Sequence, residues 1–517
     1  MNKSRFSRRE FFRLAGVGVG GLLLAAGSRK VSAAYAPFSV TTGLTPTGDE
    51  AAIDLTARAA RVNLLPGAAT RVWQYQGQGD SASLQTIPDS YLGPILRLKQ
   101  GQNLRLRFNN NIPDASIVHW HGLSVPHDMD GHPHTVIPQG QGYDYEFPIL
   151  NRAGTYWYHP HPHGRTGPQA YYGLAGLLIV SDEEERALGL PSGEFDLPLV
   201  IQDRSFDRDN QLVYVADPMN GFFGDQVLVN GQSRHTWKVQ ARPYRLRLLN
   251  GSNARIYKLA WSDNQAMTVI ATDGGLLEKP VKRPYLTLAP GERAELWADF
   301  SAYQPGQELR LESLPFSAGD GMMGMMMGSS GLPNGSAMDV LSLQIVPATG
   351  GENPVLPQRL SDPGFHAEQD AVNRNDPRRI TLAMQHMTGT LNGRTFMMNE
   401  VAADEKVRLG DLEIWEFINS ESGMGMMGGS GHPHPMHIHG VQFRVLGRQV
   451  NRQNRADYEA LSAGFVDDGW KDTVLVWPGE QVRLLVGFQP YTGMYLYHCH
   501  NLEHEDGGMM RNYQVES

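Results

Sequence analysis

Eight of the 18 histidines in this chain fall in four His-X-His pairs: His119 and His121 in HWHG, His159 and His161 in YHPHPHG, His437 and His439 in HPMHIHG, and His498 and His500 in HCH. Residues i and i+2 of a strand point to one face, so each pair offers two imidazoles in the same direction. One such pair is often no more than two solvated or capped histidines. Four of them, two toward each end of the chain, point to a shared cluster of metal ions at a domain interface.

Cys499, the only cysteine, stands between His498 and His500. If those histidines face the cluster, the same alternation turns Cys499 the other way, toward a separate site one residue distant. His504 and Met509 follow it, and His434 precedes the third pair. Two imidazoles, a thiolate and a weak thioether are the ligand set of a blue copper electron-transfer centre. Soft sulfur favours Cu(I) and imidazole tolerates Cu(II), so a site that compromises between them exchanges one electron with little rearrangement. A free cysteine is more commonly an inert buried thiol, which would leave His434, His504 and Met509 unexplained. Zinc would want four strong ligands and has no use for the neighbouring cluster. Met510, adjacent to Met509, is the alternative thioether.

The elements that must position these residues read as strands. The chain has 517 residues with 41% hydrophobic residues, 57 glycines and 32 prolines, a composition with enough core for several domains and many turns. A pattern of turn, apolar stretch, turn and alternating strand ending in Asn occurs three times: GPILRLKQGQNLRLRFNN from Gly93, NGQSRHTWKVQARPYRLRLLNGS from Asn230, and NGRTFMMNEVAADEKVRLGDLEIWEFINS from Asn392. Their glycines, Gly93, Gly231 and Gly393, lie 138 and 162 residues apart, which is domain spacing. PGERAELWADF from Pro290 and PGEQVRLLVGF from Pro478 again join a turn to period-2 alternation. The expected architecture is all-β, with three sandwich-like domains over 45–185, 190–348 and 374–517.

Residues 1–36 carry Arg8 and Arg9 in SRREFF, an apolar run from Leu14 to Ala26, and small residues at Ala33 and Ala36. This resembles a twin-arginine export signal. The leader holds seven basic residues against one acid, so the remainder of the chain, from a total of −9, carries a net charge near −15. Such a surface argues against nucleic acid as a partner.

The motifs HWHG, HPHPHG, HPMHIHG and HCHNLEHEDGGM together resemble the signature of the three-domain multicopper oxidases, over essentially the whole chain after the leader. That resemblance implies three cupredoxin-like Greek-key domains and four copper ions. His434, Cys499, His504 and axial Met509 would bind type 1 copper. His119 and His437 would bind type 2. His121, His159 and His500 would bind one type 3 copper, and His161, His439 and His498 the other. His432 competes with His434, but only His434 has the family spacing to His437. One-electron oxidation of a reductant would then feed reduction of O2 to water. Asp130 in DMDGH and Glu505 in LEHED match positions where the family places proton-delivering acids, although Asp-Gly is also an ordinary turn.

The reductant is read from methionine. Met322, Met323, Met325, Met326 and Met327 lie in GDGMMGMMMGSSG, and Met424, Met426 and Met427 in SGMGMMGGSGHPH, among Gly and Ser as in loops. Thioethers capture Cu(I), and the chain looks like the periplasmic copper-efflux cuprous oxidases that serve copper tolerance. One departure is that no carboxylate stands between Gly423 and Pro433, the nearest upstream acid being Glu421. The expectation is therefore a monomeric periplasmic oxidase of Cu(I), exported by the twin-arginine machinery. A laccase-like oxidase of small phenols or aromatic amines is the alternative, and a copper-free cell-division relative the alternative of another class.

Overall fold

Each of the three repeats is a corner where the chain leaves one β-sheet and joins the sheet packed against it. The computed structural model describes residues 50–233, 236–317, 331–385, 388–420 and 431–517. The leader with its arginine pair lies outside them. In the first repeat Ile95–Lys99 turns into Asn103–Asn111, in the second Thr236–Gln240 into Pro243–Asn250, and in the third Lys406–Arg408 into Leu412–Asn419. The first strand of each corner pairs in parallel with the last strand of its unit, respectively Gly176–Ser181, Met338–Val346 and Met510–Glu516. The second strand pairs in parallel with the opening strand, respectively Glu50–Val62, Asp196–Arg204 and Arg378–Gln385. Among the described residues the result is six sheets in three packed pairs.

Alternation sets which face is buried. Along Asn103–Asn111, Leu104, Leu106 and Phe108 turn inward while Arg105 and Arg107 turn out. The Asn that ends each repeat is buried and donates its amide to two loop or strand carbonyls. Asn110 Nδ2 donates to the Asp114 and Ile137 carbonyls, Asn250 Nδ2 to those of Arg255 and Leu288, and Asn419 Nδ2 to those of His432 and Val476. The last of these clips leads directly into His434. The recurring Pro-Gly-Glu turn is closed in the same economical way, Glu292 accepting from the Ala289 amide and Glu480 from the Trp477 amide.

Three apolar cores, one per pair of sheets, meet at three interfaces. An apolar seam that includes Tyr91, Trp157 and Tyr171 of the first and Val200, Phe222 and Leu249 of the second joins those two, and buried charge borders it, with Arg245 and Arg247 paired to Glu185 and Thr155 Oγ1 donating to Glu295. Apolar packing joins the second to the third through Ile256, Ala289, Leu461, Leu475 and Trp477. The first and third meet at the histidines. In the first, His119 on Val118–His121 stands directly opposite His159 on Gly154–Pro160. In the third, His437 on His434–Ile438 stands opposite His498 on Gly493–Cys499. Cross-strand register thus gathers two pairs into one patch in each domain.

Candidate metal centre

All eight paired histidines are fully buried. His119 and His121 share a strand, whereas His161, His439 and His500 each lie one residue beyond the strand that carries the first member of their pair. The alternation read from sequence still holds at those ends, because each pair remains on the interface side.

The hydrogen bonds fix what the rings can do. Nδ1 of His119 bonds the Asp130 carbonyl at 2.8 Å, Nδ1 of His437 the Asp472 carbonyl at 2.8 Å, and Nδ1 of His439 the Asp130 Oδ2 at 2.7 Å. Nδ1 of His498 bonds the Cys499 carbonyl at 3.1 Å. Oxygen acceptors require a proton on each Nδ1, so in the neutral ring Nε2 keeps its lone pair. Yet His119 and His437 bring their Nε2 atoms to 3.4 Å, His439 and His498 to 3.0 Å, and His161 and His498 to 3.3 Å. Protonation does not relieve this. Burial, reinforced by the neighbouring imidazoles, pushes His121, His159, His161, His437, His439 and His500 well below the usual histidine range, and burial takes His498 down to about 3. His159 Nε2, His121 Nδ1 and both nitrogens of His500 are buried without a hydrogen-bond partner. Converging lone pairs with no proton to share are the donor set of a cation, so the residues fit a cluster of metal ions. Nitrogens of His119, His121 and His159, of His119, His437 and His439, and of His161, His439 and His498 lie within 4.8 Å of one another in each set.

On the other face of the Cys499 strand, Sγ lies 3.6 Å from Nδ1 of His434 and 3.6 Å from Nδ1 of His504. All three residues are buried. Met509 packs in the same core as Cys499, while Met510 packs with Phe396 and Leu496, so the thioether on the Cys499 side is that of Met509. The His434 ring lies 5.2 Å from that of His504, and the His432 ring 6.2 Å, leaving His432 at the margin. The Nε2 of His504 points outward to the Met219 carbonyl at 3.0 Å. Met219 belongs to a turn of the middle domain built by Asp217, whose carboxylate accepts from the Met219 and Asn220 amides.

Both expected acids are buried beside the cluster. Asp130 bonds His119 and His439 as above, and Glu505 lies 3.5 Å from His161 Nε2 and 3.3 Å from His498 Nδ1. Burial, with Asp506 and Glu503 nearby, pushes the Glu505 carboxyl well above the usual range, a shift toward its protonated form. Sequence reasoning missed Asp472, Thr473 and Arg293. Asp472 Oδ1 lies 3.0 Å from His121 Nε2, Thr473 Oγ1 lies 3.1 Å from it, and Arg293 grips both oxygens of Asp472. The available signal was an acid opening the apolar strand in KDTVLVW.

The methionines at 322, 323, 325, 326, 327, 424, 426 and 427 lie outside the described residues, as does Glu421. Of their described flanks, His432 has its ring 6.2 Å from that of His504. Leu332 N donates to the Gly224 carbonyl, three residues past the turn that caps His504, and His432 borders the second tract.

Two multicopper oxidase family models match the chain, over residues 69–185 and 370–517. The multicopper oxidase mco of Staphylococcus haemolyticus is 33% identical over 82% of this chain and 82% of its own length. The laccase of Bacillus subtilis is 29% identical over 86% of this chain and 90% of its length. A protein named cell division protein FtsP, from Pectobacterium atrosepticum, is 32% identical over 86% of this chain and 88% of its length. Among solved structures, the McoA multicopper oxidase of Aquifex aeolicus superposes with a TM-score of 0.75 at 36% identity, covering 90% of this chain and 96% of that one. With its three cupredoxin-like domains and its histidine cluster, the chain belongs to the multicopper oxidases, oxygen-dependent oxidoreductases that use copper.

Proposed function

We propose that the protein is a periplasmic cuprous oxidase that accepts electrons singly from Cu(I) at the Cys499 site and delivers four of them to O2, giving water, in the service of copper tolerance. His434, Cys499, His504 and Met509 would hold one copper, and His119 with His437 a second. His121, His159 and His500 would hold a third, and His161, His439 and His498 a fourth. Bound copper supplies one-electron redox chemistry at the first site and O2 binding and reduction at the cluster. The chain supplies the rest. Cys499 adjoins both His498 and His500 in the chain, so one peptide link on either side separates the two sites. Glu505, beside His161 and His498, and Asp130, beside His119 and His439, are placed to deliver protons. The leader would take the folded monomer out through the twin-arginine machinery.

The observation that carries the choice of Cu(I) is the His504 edge. The Met219 carbonyl occupies the one nitrogen that faces outward, and His432, the described flank of the second methionine tract, lies 6.2 Å ring to ring from His504. A thioether relay suits a soft monovalent ion. One observation favours the laccase-like reading: Asp217, on the capping turn, has its oxygens engaged by the turn itself, which leaves them little capacity for an incoming ion. The structural, copper-free reading finds support in the FtsP likeness, but that role would not need ten histidines, a cysteine and a methionine in metal register.

The discriminating experiment compares kcat/KM for Cu(I) and for 2,6-dimethoxyphenol, with and without residues Met322 to Met327. The expected result is loss of Cu(I) oxidation by about tenfold or more with phenol oxidation retained. Cu(I) oxidation unaffected by the deletion would sink the relay.

A further inference from the structure

We propose that Asp472, gripped by Arg293, is one of two matching clasps that set the orientation of the cluster histidines, and that through it the middle domain, which contributes no histidine to the cluster, holds the first and third domains in register. The inference rests on the ligand assignment above and is independent of the reductant.

The pairing of the clasps is geometric. Asp130, from the first domain, uses its carbonyl to hold His119 of its own domain and its carboxylate to hold His439 of the third. Asp472, from the third domain, uses its carbonyl to hold His437 of its own domain and its carboxylate to hold His121 of the first. The two rings hung on each aspartate are stacked, His121 on His437 at 3.7 Å and 10°, His119 on His439 at 3.7 Å and 25°. One residue thus fixes a histidine from each side of the interface, twice.

The clasps differ in what holds the carboxylate. Arg293 Nη1 donates to Asp472 Oδ1 at 2.7 Å and Nη2 to Oδ2 at 2.5 Å. Its remaining N–H groups go to the carbonyls of Thr155, Gly291 and Asp273 at 2.9 to 3.0 Å, so the fork has no freedom to turn. Asp273 completes the grip, accepting from the Arg293 amide through Oδ1 and from the Asp472 and Thr473 amides through Oδ2. Held this way, Asp472 Oδ1 requires the proton of His121 on Nε2 and leaves the Nδ1 lone pair to face its partners, the reverse of His119, His437, His439 and His498. The approach is close. Gly122 sits at φ +87°, and a Cβ there would fall 2.4 Å from Asp472 Oδ2 and 2.7 Å from Arg293 Nη2.

Full-length holoenzyme variants Arg293→Met, Asp472→Leu and Asp472→Asn test this, with Arg247→Met as the control, since Arg247 is also buried, reaches Thr155 and Glu185 from the second domain, and touches no cluster histidine. Copper content, the near-ultraviolet band of the cluster and the blue band of the Cys499 site are read separately. Arg293→Met and Asp472→Leu should lose the near-ultraviolet band and cluster copper, with kcat down about 10- to 100-fold and the blue band retained. Asp472→Asn, whose amide oxygen can still accept from His121, should keep more of the band than Asp472→Leu. Arg247→Met should cost stability and leave both bands. An unchanged cluster band in Arg293→Met, equal loss in Arg247→Met, or no difference between Asp472→Asn and Asp472→Leu would overturn the clasp. If Arg293→Met does not fold, the Asn and Leu pair decides. A wild-type protein that takes up copper with neither band would instead overturn the ligand assignment.

Discussion

The Cys499 site and the histidine cluster stand back to back on one strand, yet they are assembled in opposite ways. The Cys499 site draws from one domain Cys499 and His434 on two neighbouring strands, His504 on the short helix Leu502–Asp506, and Met509 in the turn after that helix. The cluster takes four histidines from the first domain and four from the third, and is braced by an arginine of the second. A site within one domain depends on that domain's packing, whereas a site between domains depends on how three bodies are held. The two should therefore fail separately.

The most direct way to separate them is Cys499→Ser. It removes the thiolate on one face and leaves His498 and His500 on the other, so the blue band should vanish and kcat fall by about a thousandfold or more, with the near-ultraviolet band intact. Loss of both bands would mean that the sites do not stand apart. Glu505→Gln should leave both bands and cut kcat by about 100-fold, because a positioned proton donor contributes roughly that much. The sign follows from its raised pKa. Wild-type turnover should decline as pH rises through that pKa, and the variant should lose this limb. Asp217→Ala should loosen the turn whose Met219 carbonyl covers His504, raising kcat/KM for 2,6-dimethoxyphenol about fivefold without touching the cluster band. No change would mean that the cap does not govern access.

The smallest effect is a control remote from both sites. Glu480 is buried beside Arg448, and burial pushes its carboxyl up to about 7. A carboxyl raised in the folded state binds more protons than in the unfolded chain, where it titrates near 4.3, so its contribution is full below about pH 4 and is lost toward pH 7. Between pH 5 and 8 the Tm should fall by a few degrees in the wild type and less in Glu480→Gln, measured by calorimetry, with both bands unaffected.

The parts legible in the sequence were those that local periodicity dictates. Alternation alone put Cys499 opposite His498 and His500, and the three Asn-ended repeats announced three similar units. It did not disclose that each repeat is a corner between sheets, because pairing partners such as Glu50–Val62 and Asn103–Asn111 are distant in the chain. That Met509 packs in the core of Cys499 and Met510 with Phe396 and Leu496 needed the fold, since both residues are buried and only their neighbours differ. Arg293 and Asp472 were illegible for a deeper reason. An arginine opening a strand in PGERAELW reads as surface charge, and nothing nearby in sequence reveals that a carboxylate 179 residues away waits for it.

Gly122 carries a mechanical consequence. A single methyl there would overlap the carboxylate and the guanidinium together, so the three domains meet at this point without room for one more carbon. Such a joint acts as a gauge block. It limits the drift that substitutions elsewhere in the interfaces can pass on to the histidine cluster, and it reserves position 122 for glycine, whose Cα carries two hydrogens and no side chain.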